Sequence, residues 1–550
     1  MRTNNHAPSR PPPLTRAVER LAGSVLRLPP PTNAYTVARE VRIPLRDGVE
    51  LAADLYRPVT EPAGTVLVRG PYGRSFPLAF AMARIYAARG YTVLLVSSRG
   101  TFGSGGRFDP MRTEVDDGRD VTAWMVAQPW FTGRFATLGA SYLGFTQWAL
   151  MADPPPEMAA AVVAVGPHDF AEHVWGSGAF RLDFLGWSDQ VAHQEDPPLR
   201  ALARRIAGRG RMAAAYDRLP LAAVAGAELA GKAPWYTDWV TRPDLDDPFW
   251  APMRLRSALE GSRVPVLLIG GWLDLFLDQT VEQYRRLSDR GVDVALTVGA
   301  WTHLGATTRG LGRSAGETLE WLDEHLAGRP GRRRPAPVRV QVTGGGWRDL
   351  DAWPPPTRPL ELFLHPGGLL DEDRPPGDGG PSRFTFDPSD PTPTVGGPLL
   401  FGGGDVDDSR LAARPDVVTF TTAPLDRALE VTGTAVLELA HSAEPPYADL
   451  FARVSEIDRR GRPHHVTEGF ARLDPARGVG PITLRLRPAA HRFAAGSRIR
   501  LLVAGGSHPQ FARNLGTGEH PGTGTGLQAV RHTVVHGRGG VSRLVLPVGS

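Results

Sequence analysis

The 550-residue chain sets 62 Lys and Arg against 58 Asp and Glu, a net charge of +4 spread along its length, and is 41% hydrophobic. That length exceeds what one core usually supports, so two or three domains are expected, and the balanced charge offers no footprint for nucleic acid or an anionic membrane. With no cysteine, disulfides, thiolate zinc sites, Cys-ligated clusters and thiol nucleophiles are excluded, while 63 Gly and 52 Pro predict a turn-rich portion.

Residues 1–35 hold seven prolines and no continuous apolar core of a signal peptide. A short amphipathic helix fits residues 14–28, interrupted by Arg16, Glu19, Arg20 and Arg27, so this stretch reads as an arm. No stretch approaches the ~18–20 apolar residues of a membrane span, which makes a cytoplasmic protein the default expectation. Residues 41–58 alternate around Asp47-Gly48, a hairpin signal. Strand-like apolar runs at 65–69, 91–96, 135–140 and 159–165 then alternate with helical patterns at 78–89, 117–128 and 142–151. The rhythm returns at 264–270 and 292–298 with a helix at 279–290 between them, and a last helix is expected at 317–327. Apolar strands alternating with helices predict a parallel sheet covered on both faces.

Between residues 166 and 263 the strand rhythm stops, and an Ala-, Leu-, Arg- and Trp-rich stretch with helical spacing predicts a helical insertion where a cap over a site would sit. Arg329, Arg332, Arg333 and Arg334, set among Pro330, Gly331 and Pro335, read as a linker. From residue 338 onward short alternating segments separated by Gly, Pro and Asp predict an all-β sandwich. The boundaries expected are therefore an arm at 1–35, a catalytic α/β domain at 36–166 and 264–330, a helical insertion at 167–263 and a β domain at 331–550.

The chemistry starts at Gly139-Ala140-Ser141-Tyr142-Leu143-Gly144, between a predicted strand and a predicted helix. A serine on such a turn needs small neighbours and presents its hydroxyl at a helix N-terminus, with the next backbone N–H, that of Tyr142, free to bind an oxyanion. The hydroxyl also needs a base, and the base an orienting acid, in the chain order Ser, Asp or Glu, His, each after its own strand. The predicted strand 266–270 runs into a loop bearing Asp274, with Asp278 as a rival, and the strand 292–298 runs into a loop bearing His303. Three residues in that order predict a serine hydrolase with an α/β hydrolase fold.

These stretches together, Gly139–Trp148 with Gly271-Trp272-Leu273-Asp274 and Trp301-Thr302-His303, resemble the bacterial cocaine-esterase and X-Pro dipeptidyl-peptidase family. Arg69-Gly70-Pro71-Tyr72 looks like its R-x-P-Y, and Ser98 to Gly106 like its D-x-R-G-x-x-x-S-x-G loop, with Ser97 where the family usually has aspartate. Trp347-Arg348 with Trp353-Pro354-Pro355, and Gly506 to Asn514, look like the family's C-terminal jelly roll. The resemblance implies an α/β hydrolase fold with a helical cap insertion, followed by an all-β jelly-roll domain. By it Ser141 is the nucleophile, His303 the base and Asp274 its orienting acid, with the Tyr72 hydroxyl and the Tyr142 N–H as oxyanion hole. It further implies an apolar substrate pocket using Trp175, Trp187 and Phe276.

Leu275 and Phe276 follow Asp274 directly, so no carboxylate for a substrate ammonium is evident there, while Glu172, Asp183 and Asp189 stand as candidates in the insertion. An esterase for bulky uncharged acyl groups is expected over a dipeptidyl-peptidase, with an acyltransferase or an inert binding protein as further alternatives. The expected partners are a small ester or short peptide, with no nucleic acid, no membrane and an open choice between monomer and homodimer. No cofactor and no metal are expected: His464-His465 lacks a third ligand, and Asp405, Asp407 and Asp408 read as an exposed acidic turn.

Overall fold

A computed structural model describes residues 8–229, 231–329, 334–377, 379–477, 480–537 and 540–549. Residues 1–7 of the arm and Pro330, Gly331, Arg332 and Arg333 of the linker lie outside the described residues. The chain divides into two compact units, one made of Met1–Phe170, Pro248–Gly271 and Gln279–Val338, the other of Ala171–Asp247, Trp272–Asp278 and Arg339–Ser550.

The first unit is built on a sheet. Its strands are β1 (Tyr35–Pro44), β2 (Glu50–Pro58), β3 (Thr65–Gly70), β4 (Thr92–Ser97), β5 (Phe135–Ala140), β6 (Met158–Ala164), β7 (Val266–Leu273) and β8 (Val294–Thr302), in the spatial order β1-β2-β4-β3-β5-β6-β7-β8. β1 and β2 form the antiparallel hairpin that Asp47-Gly48 predicts, with Gly48 at φ +84°. The pairs β3–β4, β3–β5, β5–β6 and β6–β7 are parallel. Every residue of β3, β4 and β5 is buried, which is why these strands read as mostly apolar runs instead of alternating ones.

The helices Glu114–Val126, Tyr142–Met151, Leu277–Asp289 and Leu311–His325 accompany the sheet. The last begins six residues before the pattern predicts, since Gly312 weakens the helical reading of its first turn. That glycine is a packing choice, because a Cβ there would stand 2.6 Å from the Leu26 carbonyl oxygen. Where one helix was expected at 78–89, a π-helical turn (Phe80–Arg84) precedes a single α-turn (Ile85–Ala87). Arg334, expected in the linker, instead pairs with buried Glu317 at 3.0 Å and donates to the Leu296 carbonyl at 2.9 Å.

The second unit joins a helical segment to β structure. Helices Asp183–His193, Pro198–Asp217 and Trp235–Thr241 fall where the Trp- and Leu-rich stretch predicts them. Backbone hydrogen bonds from Ala512 to Phe180, Arg472 to Ser177 and Ala222 to Gly522, at 2.8–2.9 Å, tie this segment to the C-terminal part of the chain. The β part has two antiparallel sheets, one centred on Leu429–Glu444, Gly480–Phe493 and Arg543–Gly549, the other on Arg498–Ala504, Asp449–Ile457 and Pro463–Arg472. Leu437 and Val534 from one and Phe420, Leu450 and Leu501 from the other share a single buried cluster. Asp408, expected in an exposed turn, is buried and pairs with Arg453 and Arg500, so its local sequence concealed a long-range contact. No helix among the described residues is long and apolar enough to cross a membrane.

Candidate active site

Ser141 follows β5 directly and stands at the N-cap of the helix Tyr142–Met151 with φ 60° and ψ −122°, a conformation that costs a residue bearing a Cβ about 1–3 kcal/mol. The surroundings hold it there. Its N–H donates to the Ala164 carbonyl on β6 at 2.9 Å. Gly139 lies so near the helix that a Cβ would stand 2.3 Å from Leu143 Cβ, and a Cβ on Gly144 would stand 2.7 Å from Gly166 Cα. The two glycines of the motif are thus close-approach positions that allow the turn to tighten.

His303 follows β8 directly and starts the short helix His303–Thr307, whose cap is the Thr302 hydroxyl accepting from the Gly305 N–H at 3.1 Å. The Trp301 indole beside it fills the space left by Gly299 and Gly310, where a Cβ would come within 2.5 and 2.8 Å of the ring. That packing sets the backbone from which His303 reaches back. Its Nε2 lies 2.9 Å from Ser141 Oγ, and the residue is only 4% exposed. An imidazole in this position accepts the hydroxyl proton when its own proton sits on Nδ1.

Asp274 follows β7 and is completely buried, and its carbonyl accepts from Arg487 Nη2 at 2.5 Å. Asp278, the sequence rival, is 58% exposed and pairs with the same arginine at 3.4 Å.

Tyr72 stands in the loop after β3. Gly70 brings that loop against the nucleophile helix, since a Cβ there would stand 2.4 Å from Leu143 Cδ1. The rings of Tyr72 and Tyr142 meet edge to face with centroids 6.4 Å apart. Tyr142 is tied down behind its backbone. Its hydroxyl donates to Glu114 Oε1 at 2.9 Å and accepts from the Met111 N–H at 2.8 Å. Glu114 accepts as well from Ser98 Oγ at 3.1 Å and pairs with Arg69 at 2.5 Å. Burial raises the Glu114 carboxyl above its ordinary range, Arg69 opposes this, and burial likewise holds the Tyr142 phenol well above its own. Arg69 reaches Glu114 only because residue 118 is glycine, where a Cβ would stand 2.3 Å from its Nη1.

The loop at residues 98–106 is anchored without an aspartate at 97. Arg74 donates to Ser97 Oγ at 2.5 Å and pairs with Asp54 at 3.2 Å and Glu40 at 2.5 Å, while Arg99 pairs with Asp117 at 2.6 Å and Asp47 at 2.7 Å. The serine keeps the hydrogen bond and two other carboxylates supply the charge.

In the second unit Trp187 stacks on Trp239 with centroids 5.9 Å apart, and Phe184 lies 6.3 Å from Trp187 and 5.5 Å from His173. His173 in turn lies 4.4 Å from Phe276, so one chain of rings runs from Phe276 to Trp239. Trp175 joins through its indole N–H, which donates to the Trp239 carbonyl at 2.8 Å. Sequence reasoning missed His173, Phe184 and Trp239 as members of this cluster, because helical spacing alone marks them as packing residues. Asp183 pairs with Arg181 at 3.2 Å, and Asp189 with Arg204 and Arg211 at 3.1 and 2.7 Å, so each already faces a guanidinium. No group of three or more His, Asp or Glu among the described residues is arranged to hold a metal ion.

Residues 47–305 match the model of the X-Pro dipeptidyl-peptidase (S15 family), and residues 331–545 that of the X-Pro dipeptidyl-peptidase C-terminal non-catalytic domain. The chain is 29% identical to the cocaine esterase of Rhodococcus sp. (strain MB1 Bresler) over 543 residues, 88% of this chain and 93% of that protein. Among solved structures, an α-amino acid ester hydrolase is 22% identical with a TM-score of 0.79, covering 94% of this chain and 97% of its own. An aminopeptidase from the marine sediment archaeon Thaumarchaeota archaeon is likewise 22% identical with a TM-score of 0.78 and the same coverage.

Proposed function

The chain belongs to the X-Pro dipeptidyl-peptidase family of serine hydrolases, and from that premise we propose that it is a carboxylesterase for bulky, uncharged acyl groups working through an acyl-enzyme. The observation that carries this reading is the 2.9 Å contact between His303 Nε2 and Ser141 Oγ at a strained strand-to-helix turn.

In the proposed reaction His303 Nε2 takes the Ser141 proton as Oγ attacks the ester carbonyl carbon. The carbonyl π electrons move to oxygen, and the Tyr142 N–H and the Tyr72 hydroxyl donate to that oxyanion. Each such donor is worth about 2.7–4 kcal/mol of transition-state stabilisation. As the tetrahedral species collapses, the C–O bond to the alcohol breaks and His303 returns the proton to the leaving oxygen. Water, deprotonated by the same imidazole, then cleaves the acyl-enzyme to give the acid and free Ser141. Asp274 is proposed as the acid that orients His303, on its place directly after β7 and its complete burial.

Trp175, Trp187 and Phe276 are proposed to line the acyl pocket, on the burial of their shared ring cluster, with the helices of residues 167–263 acting as the cap and the β domain as a jelly roll. The ester preference is supported by Leu275 and Phe276 standing directly after Asp274 and by the arginine partners of Asp183 and Asp189, two of the three candidate carboxylates beside Glu172. Intact-mass spectrometry after a fluorophosphonate probe tests the nucleophile. One adduct on wild type and none on folded Ser141→Ala is expected, with a p-nitrophenyl ester turned over faster than an X-Pro-p-nitroanilide. Faster anilide turnover would move the protein to the peptidase branch, and an unlabelled folded wild type would refute an activated serine.

A further inference from the structure

The helix Pro13–Val25 has three rows of side chains at the 100° spacing of an α-helix. Thr15, Glu19, Ala22 and Leu26 form the partly buried row, where Glu19 accepts from the Tyr35 hydroxyl at 2.8 Å and pairs with Arg84 at 3.2 Å. Leu14, Val18, Leu21 and Val25 form a second row, exposed at 77, 55, 68 and 75%. Arg16 and Arg20 form an exposed third, with Pro13, Ala17 and Ser24 between it and the aliphatic row on the free side, and Arg27 follows exposed just past the helix end. Single exposed aliphatic residues are ordinary, but four in a continuous row mark a surface that something covers.

Charge decides what that is. From residue 1 to residue 38 the sequence contains five arginines and one acid, Glu19, whose carboxylate is already engaged by Tyr35 and Arg84. Arg89, behind the helix, donates to the carbonyls of Pro29 at 2.9 Å and Ile85 at 2.7 Å and has no carboxylate partner among the described residues. The charge balance of the whole chain hides this local excess. Two copies meeting here would bring two arginine-rich arms of like charge together, and a helix about 20 Å long offers much less than the roughly 800 Å² per partner of a stable interface. An anionic bilayer instead takes the aliphatic row into the acyl boundary while the arginines reach phosphate headgroups within a Debye length.

We propose that Pro13–Val25 is an interfacial anchor that seats the protein on an anionic lipid surface, independently of the reaction it catalyses. The test is co-sedimentation of the full chain with sucrose-loaded vesicles of phosphatidylcholine, alone or mixed with phosphatidylglycerol. Wild type is expected to pellet with the anionic vesicles only, and to be released as salt is raised. Leu21→Ser with Val25→Ser is expected to lower partitioning at least tenfold, and Arg16→Gln with Arg20→Gln about tenfold, each with an unchanged melting curve. Three results would overturn the proposal: no partitioning of folded wild type, partitioning unaffected by the serine pair, or a concentration-dependent dimer in sedimentation velocity that the serine pair abolishes.

Discussion

Replacing Tyr142 by phenylalanine removes one oxygen and tests how the oxyanion hole is held. The phenol is 2% exposed and makes two bonds, donating to Glu114 at 2.9 Å and accepting from the Met111 N–H at 2.8 Å. Its loss strands a buried N–H, costing about 1–3 kcal/mol, and deletes a hydrogen bond to a carboxyl worth about 1.5–3 kcal/mol. Relaxation recovers part of this, so a destabilisation of about 2–4 kcal/mol is expected. Met111 sits at φ 66°, and Glu114 keeps Arg69 and Ser98, so the damage concentrates on the turn that aims the Tyr142 N–H. Losing a third to a half of one oxyanion contact corresponds to about tenfold in kcat, with KM nearly unchanged because the contact matters in the transition state. Ester kinetics at saturating and limiting substrate, with a denaturant melt of the same preparation, measure both effects. A variant with kcat within twofold of wild type, or with only KM altered, would refute the view that the phenol positions the donor.

Tyr72→Phe is expected to leave a folded enzyme about 100- to 1000-fold slower, the loss of one oxyanion donor of about 2.7–4 kcal/mol, measured by kcat on a p-nitrophenyl ester. Gly139→Ala puts a Cβ 2.3 Å from Leu143 Cβ and 2.8 Å from its carbonyl oxygen, so the variant is expected to lose soluble expression or melt far below wild type in calorimetry. Stability is also expected to fall on acidification from pH 6.5. Burial pushes the His532 imidazole down to about 3, with His441 adding to the effect, and burial pushes His168 down to about 4 against the pull of Glu282. The unfolded chain therefore binds protons below pH 6.5 that the folded chain refuses, and stability is progressively lost until the folded values are reached. Thermal melts from pH 7 to 4 measure this, and His532→Phe should flatten the slope by about one proton.

The serine turn was legible because its causes are local: small residues on both sides of Ser141, an apolar strand before it and a helical pattern after it. The parallel strands were legible because burial on both faces keeps their runs mostly apolar and without alternation, as in β3 to β5. The order of Ser141, Asp274 and His303 along the chain could be read because each follows its own strand. Only the tertiary structure could bring Ser141 and His303 to 2.9 Å across 162 residues, since no local period encodes that distance. The same holds for the support behind the site. Arg69, Glu114 and Tyr142 are scattered over three elements and join through burial, which makes an unmatched charge costly and selects the partner that satisfies it. Gly118 and Gly312 are poor helix formers, yet each makes room for a neighbour that only the folded chain supplies. The grouping of residues 171–247 with the β part was equally invisible, because backbone bonds such as Ala512 to Phe180 join segments more than 300 residues apart and leave no trace in composition.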